Sequence, residues 1–131
     1  MEQTVTMPMS RDSQRNIWIV EDDADIGYIL QLILNDEGFD ATLFASASAF
    51  RAAIARDLPD LLLMDVMLPD GSGEELCAEV KSSRRSEHLP VLMMSAHAKL
   101  EQITQRCAAE GFISKPFDLS QLLHIVKEQL S

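Results

Sequence analysis

The sequence has few of the features that mark membrane, secreted or nucleic-acid-binding proteins. Its 131 residues include only two cysteines, Cys77 and Cys107, too few for a disulfide framework or a zinc site, so we expect reduced, partly buried thiols. No apolar run approaches the roughly 18 residues that a membrane span needs. Eleven basic and 21 acidic residues give a net charge of −10, which disfavours direct binding to nucleic acid or an anionic membrane.

The length and the remaining composition fit one domain with a full hydrophobic core. Hydrophobic residues make up 47% of the chain, and a chain of about this size needs neither disulfides nor a structural metal to fold. Residues 1–15 are polar and lack the apolar segment of a signal peptide. We therefore expect a flexible N-terminal segment over residues 1–15 and a single cytoplasmic domain over residues 16–131.

Beyond residue 15, short β-rich runs alternate with amphipathic helical patterns. The predicted strands are 16–20, 40–44, 60–65, 90–95 and 111–114. The predicted helices are 24–37, 46–56, 74–82, 99–109 and 120–130. This alternation predicts an α/β fold with a parallel sheet between two layers of helices. In the first helix, the helical spacing predicts five core-facing residues, namely Ile26, Ile29, Leu30, Ile33 and Leu34.

Polar side chains stand at the ends of four predicted strands. Glu21 and Asp22 follow the first strand, and Asp65 ends the third. Ser95 ends the fourth strand, and Lys115 follows the fifth. Because ligands of open parallel sheets bind beyond the carboxyl ends of the strands, we expect these groups to converge. Three carboxylates, one of them partly desolvated, require a cation, and oxygen ligands of this kind suit Mg²⁺.

Four segments of the sequence resemble the response-regulator receiver domain of bacterial two-component signalling. They are IWIVEDD at 17–23, DLLLMDVMLPDGSG at 60–73, PVLMMSA at 90–96 and FISKPF at 112–117. The resemblance covers residues 16–131. It implies a doubly wound, flavodoxin-like sheet of five parallel strands in the order 2-1-3-4-5 with five helices. It also implies a phosphoacceptor signalling domain and not an enzyme in the usual sense.

The resemblance implies a role for each residue at the strand ends. Asp65 corresponds to the aspartate that accepts the phosphoryl group. Glu21, Asp22 and Asp65 correspond to the magnesium ligands, together with the backbone carbonyl of Met67. Lys115 and Ser95, which with Asp65 form the catalytic set, correspond to the groups that contact phosphoryl oxygens. These roles agree with the demands of phosphoryl transfer, which are alignment and the offsetting of charge on the phosphoryl oxygens.

The same resemblance implies a conformational switch. Ser95 corresponds to the switch hydroxyl and Phe112 to the switch aromatic, so phosphorylation is expected to bias an existing equilibrium between two conformations. Pro116 corresponds to a proline whose bond to the preceding lysine is cis. His97 and Met67, near the mouth of the site, are candidates for setting the lifetime of the phosphoryl group.

The expected partners are a histidine kinase or a histidine phosphotransfer protein and a downstream protein of unknown identity. Tyr28 and Leu32 lie four residues apart on the first helix, opposite its expected core face, and form a candidate docking pair. The alternative is that they are ordinary exposed apolar residues. The chain is either a free-standing regulator or the excised receiver of a longer multidomain protein, and we expect a monomer or a weak dimer.

Other functional classes fit the residues less well. A haloacid-dehalogenase-type phosphatase also uses an aspartate nucleophile and Mg²⁺, but it has a second acid where this chain has Met67. A flavodoxin-like flavin carrier needs a hydroxyl-rich and glycine-rich phosphate loop after the first strand, where this chain has the acidic residues 21–23. A purely structural interaction module would not need Asp65 and Lys115 together.

Overall fold

The described residues of the structure, a computed structural model, are 14–96 and 107–131. Most of the predicted N-terminal segment over residues 1–15, most of the predicted helix 99–109 and His97 lie outside them. Residues 107–109, which end that predicted helix, are not helical. Cys77 and Cys107 are buried thiols that form no disulfide, and burial is the main reason that the pKa of the Cys77 thiol is raised.

A sheet of five parallel strands lies at the centre of the fold. The strands are β1 (Asn16–Val20), β2 (Asp40–Phe44), β3 (Leu61–Asp65), β6 (Val91–Ser95) and β7 (Gly111–Ser114). Two further strands, β4 (Met67–Leu68) and β5 (Gly71–Ser72), form a separate antiparallel hairpin between β3 and the next helix. The main sheet has the order β2-β1-β3-β6-β7. Counted along the chain, its strands therefore have the expected order 2-1-3-4-5.

Four helices are present in the described residues. They are α1 (Ala24–Asp36), α2 (Ala47–Ile54), α3 (Gly73–Lys81) and α4 (Leu119–Leu130). Ser46 caps α2, because its side chain accepts a hydrogen bond from the Ala49 N–H. Gly38, with φ of 97°, follows the end of α1 in a backbone conformation that favours glycine. None of the helices in these parts of the chain is long and apolar enough to cross a bilayer.

Alternating side chains of the strands build a separate core on each face of the sheet. Leu62 and Met64 of β3 face α2 and α3, whereas Leu61 and Leu63 face α1 and α4. All five residues of β3 are buried, so this strand with its continuous apolar sequence is covered on both faces. Asp65, the candidate phosphoacceptor, is thus the last residue of a strand that is covered on both faces.

An aromatic cluster stabilises the face of the sheet that carries α2 and α3. Trp18 of β1 meets Phe44 and Phe50 edge to face, with ring centroids 5.0 and 6.2 Å apart. Such T-shaped pairs contribute about 0.5–1.5 kcal/mol beyond the burial of their area. The cluster therefore joins β1, β2 and α2 on one face of the sheet.

One prediction for α1 is wrong. Ile29 was expected to face the core, but 47% of its surface is exposed. The buried residues of the helix are Gly27, Leu30 and Leu34, and Ile29 lies about 100° around the helix from Leu30. Ile29 therefore belongs to the same exposed face as Tyr28 and Leu32.

An ion pair between α2 and α3 makes stability depend on pH. Arg51 Nε and Nη2 lie 3.1 and 2.6 Å from the two carboxylate oxygens of Glu79, and the hydrogen bond from Arg51 lowers the pKa of Glu79. Because the folded pKa lies below its ordinary value of 4.5, the pair stabilises the fold fully above that pH. Its contribution is lost as the pH falls through the lowered pKa of the folded state.

We expect Glu79→Gln to cause a small decrease in Tm near neutral pH, because both side chains are about half exposed and solvent screens the pair. The difference from the unmodified protein should shrink with added salt and vanish at low pH. Thermal unfolding followed by circular dichroism measures it. A difference that stays constant across the whole pH range would contradict this role.

Candidate functional site

The strand ends place five polar side chains around one cavity of about 460 Å³. Its lining includes Glu21, Asp22, Asp65, Ser95 and Lys115, so the structure brings together all the groups that the sequence placed at the strand ends. Strand pairing fixes their relative positions. The backbone N–H of Lys115 donates to the carbonyl of Ser95 at 2.9 Å, which holds the residues that end β6 and follow β7 side by side.

Lys115 connects the two most buried carboxylates of the site. Its Nζ lies 2.7 Å from Oε1 of Glu21 and 3.0 Å from Oδ2 of Asp65. Burial alone would lower the pKa of Lys115, but its hydrogen bonds to these two carboxylates raise the pKa overall. Lys115 is therefore a permanent cation between two acids that would otherwise repel each other.

Glu21 is an unusual carboxylate because only 1% of its surface is exposed. Burial raises its pKa to about 7, and the neighbouring Asp65 also raises it, while the hydrogen bond from Lys115 acts in the opposite direction. The backbone N–H of Asp23 donates to the second carboxylate oxygen of Glu21 at 3.2 Å. Both oxygens of this side chain are thus held in place.

The charges of the site suit a divalent cation. Glu21, Asp22 and Asp65 each place a carboxylate oxygen within 4.8 Å of the other two. With Lys115 they carry a net charge of −2 when all four are ionised, the sum of three negative charges and one positive charge. Hard oxygen donors in this number are the ligands of Mg²⁺ sites that also retain water. The residues therefore fit the metal that the sequence implied.

The hairpin of β4 and β5 forms one wall of this cavity. Met67, Leu68 and Pro69 line it, and the backbone N–H of Met67 donates to Oδ1 of Asp65 at 3.3 Å. Asp65 is therefore contacted at both carboxylate oxygens, by Met67 on one side and Lys115 on the other. Met67 is thus adjacent to the carboxylates with which it was expected to share a metal ion.

Four other described residues that the sequence singled out are not part of the cavity lining, namely Phe112, Pro116, Tyr28 and Leu32. Phe112 is half buried and packs against the core on the α2 and α3 side. The Lys115–Pro116 peptide bond is cis. Tyr28 and Leu32 on α1 are 60% and 49% exposed.

Sequence reasoning missed several residues of the site. Ile26, predicted only as a core residue, is half buried and also lines the cavity. Asp70, for which the sequence predicted no contact, accepts hydrogen bonds from the backbone N–H groups of Ala47 and Ser48. No sequence signal links Asp70 to Ala47 and Ser48, which lie 23 and 22 positions before it. Ile26 lines the cavity because it stands at the start of α1, beside the acidic residues.

Comparison with known proteins identifies a family with this arrangement. Residues 17–127 match the family model of the response regulator receiver domain. The CheY-like response regulator receiver domain protein from Methanospirillum hungatei has a similar structure, with 32% identity and a TM-score of 0.83. The match covers 90% of this chain and 94% of that chain.

Sequence relatives include one long and one short protein. The DNA-binding transcriptional regulator NtrC of Salmonella typhimurium is 32% identical over 88% of this chain. The matched region spans only 24% of NtrC. An uncharacterised 14.6 kDa protein of Leptolyngbya boryana is also 32% identical, over 88% of this chain and 90% of its own length.

The absence of a side chain at Gly73 lets the start of α3 lie against the backbone of Asp65, and a substitution at Gly73 tests this close approach. A Cβ at Gly73 would lie 1.9 Å from the carbonyl oxygen of Asp65, whereas a Cβ at Gly71 would meet Ala47 at an ordinary 3.4 Å. We expect Gly73→Ala to lower the free energy of unfolding by about 1–3 kcal/mol or more, because the Asp65 backbone must shift. The control Gly71→Ala should stay within about 0.5 kcal/mol of the unmodified protein. Denaturant unfolding measures both, and equal effects would contradict the steric argument.

Proposed function

The chain belongs to the response regulator receiver domain family, and on this premise we propose that it accepts a phosphoryl group on Asp65. The donor is a phosphohistidine of a histidine kinase or of a histidine phosphotransfer protein. The observation that carries the proposal is the Lys115 ammonium, which contacts both Asp65 and Glu21 where β3 ends. The domain acts in signalling in the cytoplasm and not as a classical enzyme.

The acidic residues bind the metal that the reaction requires. Glu21, Asp22 and Asp65, with the backbone carbonyl of Met67, would hold Mg²⁺, which when bound offsets negative charge on the phosphoryl oxygens. The closeness of the three carboxylates and their net charge with Lys115 support this assignment. Without a cation, an incoming phosphoryl group would meet a negatively charged cavity and be repelled.

The chain's own residues carry out the transfer. An oxygen of the Asp65 carboxylate forms a bond to phosphorus while the bond between phosphorus and the donor's imidazole nitrogen breaks, and that nitrogen keeps the electron pair. The Lys115 ammonium, 3.0 Å from Oδ2 of Asp65, holds that side chain in place at the end of β3. The Lys115 ammonium and the Ser95 hydroxyl then donate hydrogen bonds to phosphoryl oxygens.

Phosphorylation is read out through Ser95 and Phe112. A hydrogen bond from the Ser95 hydroxyl to the new phosphoryl group favours the conformation in which Ser95 has moved toward Asp65. Phe112 follows because it is only half buried and pairs in register with Met93, two residues before Ser95. The surface around β7 and α4 changes with it, and a downstream protein recognises that change. Hydrolysis of the acyl phosphate resets the domain.

The exposed face of α1 docks the phosphodonor protein. Tyr28, Ile29 and Leu32 are each about half exposed and lie on one side of the helix. The same helix begins directly after Asp22 and Asp23, which line the acidic cavity, so the apolar patch and the cavity share one helix. Aromatic and apolar residues grouped in this way are typical of the residues that dominate protein interfaces.

Asp65→Asn tests the central proposal. With acetyl phosphate and Mg²⁺, we expect the unmodified protein to gain the mass of one phosphoryl group, and the variant to gain none, because an amide is a poor nucleophile. Asp36→Asn, a change to an exposed acid at the other end of α1, should leave labelling intact. Chelating Mg²⁺ should also abolish labelling of the unmodified protein. Intact mass spectrometry gives the result, and equal labelling of the Asp65 variant would refute the proposal.

A double substitution tests docking separately from chemistry. Tyr28→Ser combined with Leu32→Ser should slow transfer from a phosphorylated histidine phosphotransfer protein by about tenfold or more, because each lost contact of this kind costs about 1 kcal/mol or more. Labelling by acetyl phosphate should be unchanged, since that donor needs no protein contact. Leu119→Ser, on the exposed side of α4, controls for loss of surface apolar area. If both donors slow equally, the docking role of this pair is wrong.

A further inference from the structure

The wall of the site formed by β4 and β5 is a small element with little stability of its own. Each strand has two residues, and only two residue pairs join them, Met67 with Ser72 and Leu68 with Gly71. A further hydrogen bond from the Gly73 N–H to the Val66 carbonyl, at 2.8 Å, closes the base of the hairpin. Isolated two-stranded hairpins are marginally stable even when longer, so the tip of this one needs an external contact to stay in place.

Asp70 provides that contact at the tip of the hairpin. Its Oδ1 accepts a hydrogen bond from the Ala47 N–H at 2.7 Å, and its Oδ2 accepts one from the Ser48 N–H at 3.0 Å. These are the first two amides of α2, which have no partner within the helix. They also lower the pKa of Asp70, so the carboxylate stays charged at the end of the helix that favours negative charge.

The contact joins the hairpin to a firmly packed helix. α2 packs through Phe50 against the aromatic cluster with Trp18, and its first residue, Ala47, is fully buried. The hairpin in turn carries Met67, whose N–H contacts the Asp65 carboxylate. Glu21, Asp22 and Lys115 reach the site from the main sheet and do not depend on the hairpin for their positions.

We infer that Asp70 is a positioning residue, which fixes the Met67 wall of the site against the N-terminus of α2. It acts through the hairpin and touches neither the metal nor the phosphoryl group. The inference rests on the proposed function, since it assumes that Met67 and the three acids share one magnesium ion. It adds that the position of the Met67 backbone relative to those acids depends on a residue three positions further along the chain.

Three variants separate positioning from helix capping and from charge. Asp70→Ala removes both hydrogen bonds and the charge. Asp70→Asn removes the charge but keeps an amide oxygen that can accept from the Ala47 N–H. Ser46→Ala removes the other side-chain cap of α2, the hydrogen bond to the Ala49 N–H, and keeps both backbone N–H groups that donate to Asp70. Tm values confirm that each variant is folded at the temperature of the assay.

The main measurement is the Kd for Mg²⁺ by calorimetry, with amide exchange of Met67 as a readout that needs no metal. For Asp70→Ala we expect Mg²⁺ binding weaker by about tenfold, the lower end of the range for groups that orient metal ligands, and faster exchange of the Met67 amide. Asp70→Asn should lie between Asp70→Ala and the unmodified protein. Ser46→Ala should change the Tm but neither the Kd nor the exchange rate.

The remaining outcomes each overturn the inference. Equal weakening by Asp70→Ala and Ser46→Ala would show that stability of α2 is the cause. Equal weakening by Asp70→Ala and Asp70→Asn, removed by high salt, would show that charge alone is the cause. An unchanged Kd in all variants would show that the hairpin needs no fixing. If the unmodified protein binds no Mg²⁺, the proposed function fails, and the inference fails with it.

Discussion

Repulsion between carboxylates is the constraint around which this molecule is organised. Glu21 and Asp65 are almost fully buried at the ends of neighbouring strands, and the Lys115 ammonium between them is what makes their closeness tolerable. Each of the three residues is placed by a different strand. The parallel sheet, with helices on both faces, is therefore the means by which three distant parts of the chain meet at one point.

The parts of the fold that follow from local pattern were predictable. Continuous apolar runs and helical spacing located the five strands of the main sheet and the four described helices to within a few residues, and the strand order followed from the resemblance to receiver domains. Ile29 was wrongly predicted to face the core because the helical spacing pattern includes residues over a wider arc of α1 than the sheet covers. Ile29 lies at the edge of that arc and is exposed. The strand ends likewise placed Glu21, Asp22, Asp65, Ser95 and Lys115 at one cavity.

What could not be predicted depends on contacts between distant residues. The hairpin of β4 and β5 has strands too short to leave a periodic pattern, so the sequence showed only a turn. Asp70 accepts hydrogen bonds from Ala47 and Ser48, which lie 23 and 22 positions before it in the chain. A Pro-Asp-Gly turn has the same sequence whether or not its aspartate contacts another helix. Hydrogen bonds between distant segments become visible only when the folded backbone brings the two segments together.

Two of the donors to Asp70 are main-chain amides, and this has a consequence for how the contact would behave in evolution. Any residue except proline at position 47 keeps the N–H that donates to Oδ1 of Asp70, so no particular side chain is required there when the contact is gained or lost. Pairs of positions that vary together in an alignment reveal contacts between side chains. A hydrogen bond from a peptide N–H to a carboxylate leaves no such correlated trace at the donor position, so structures of individual family members would be needed to reveal which of them contain it.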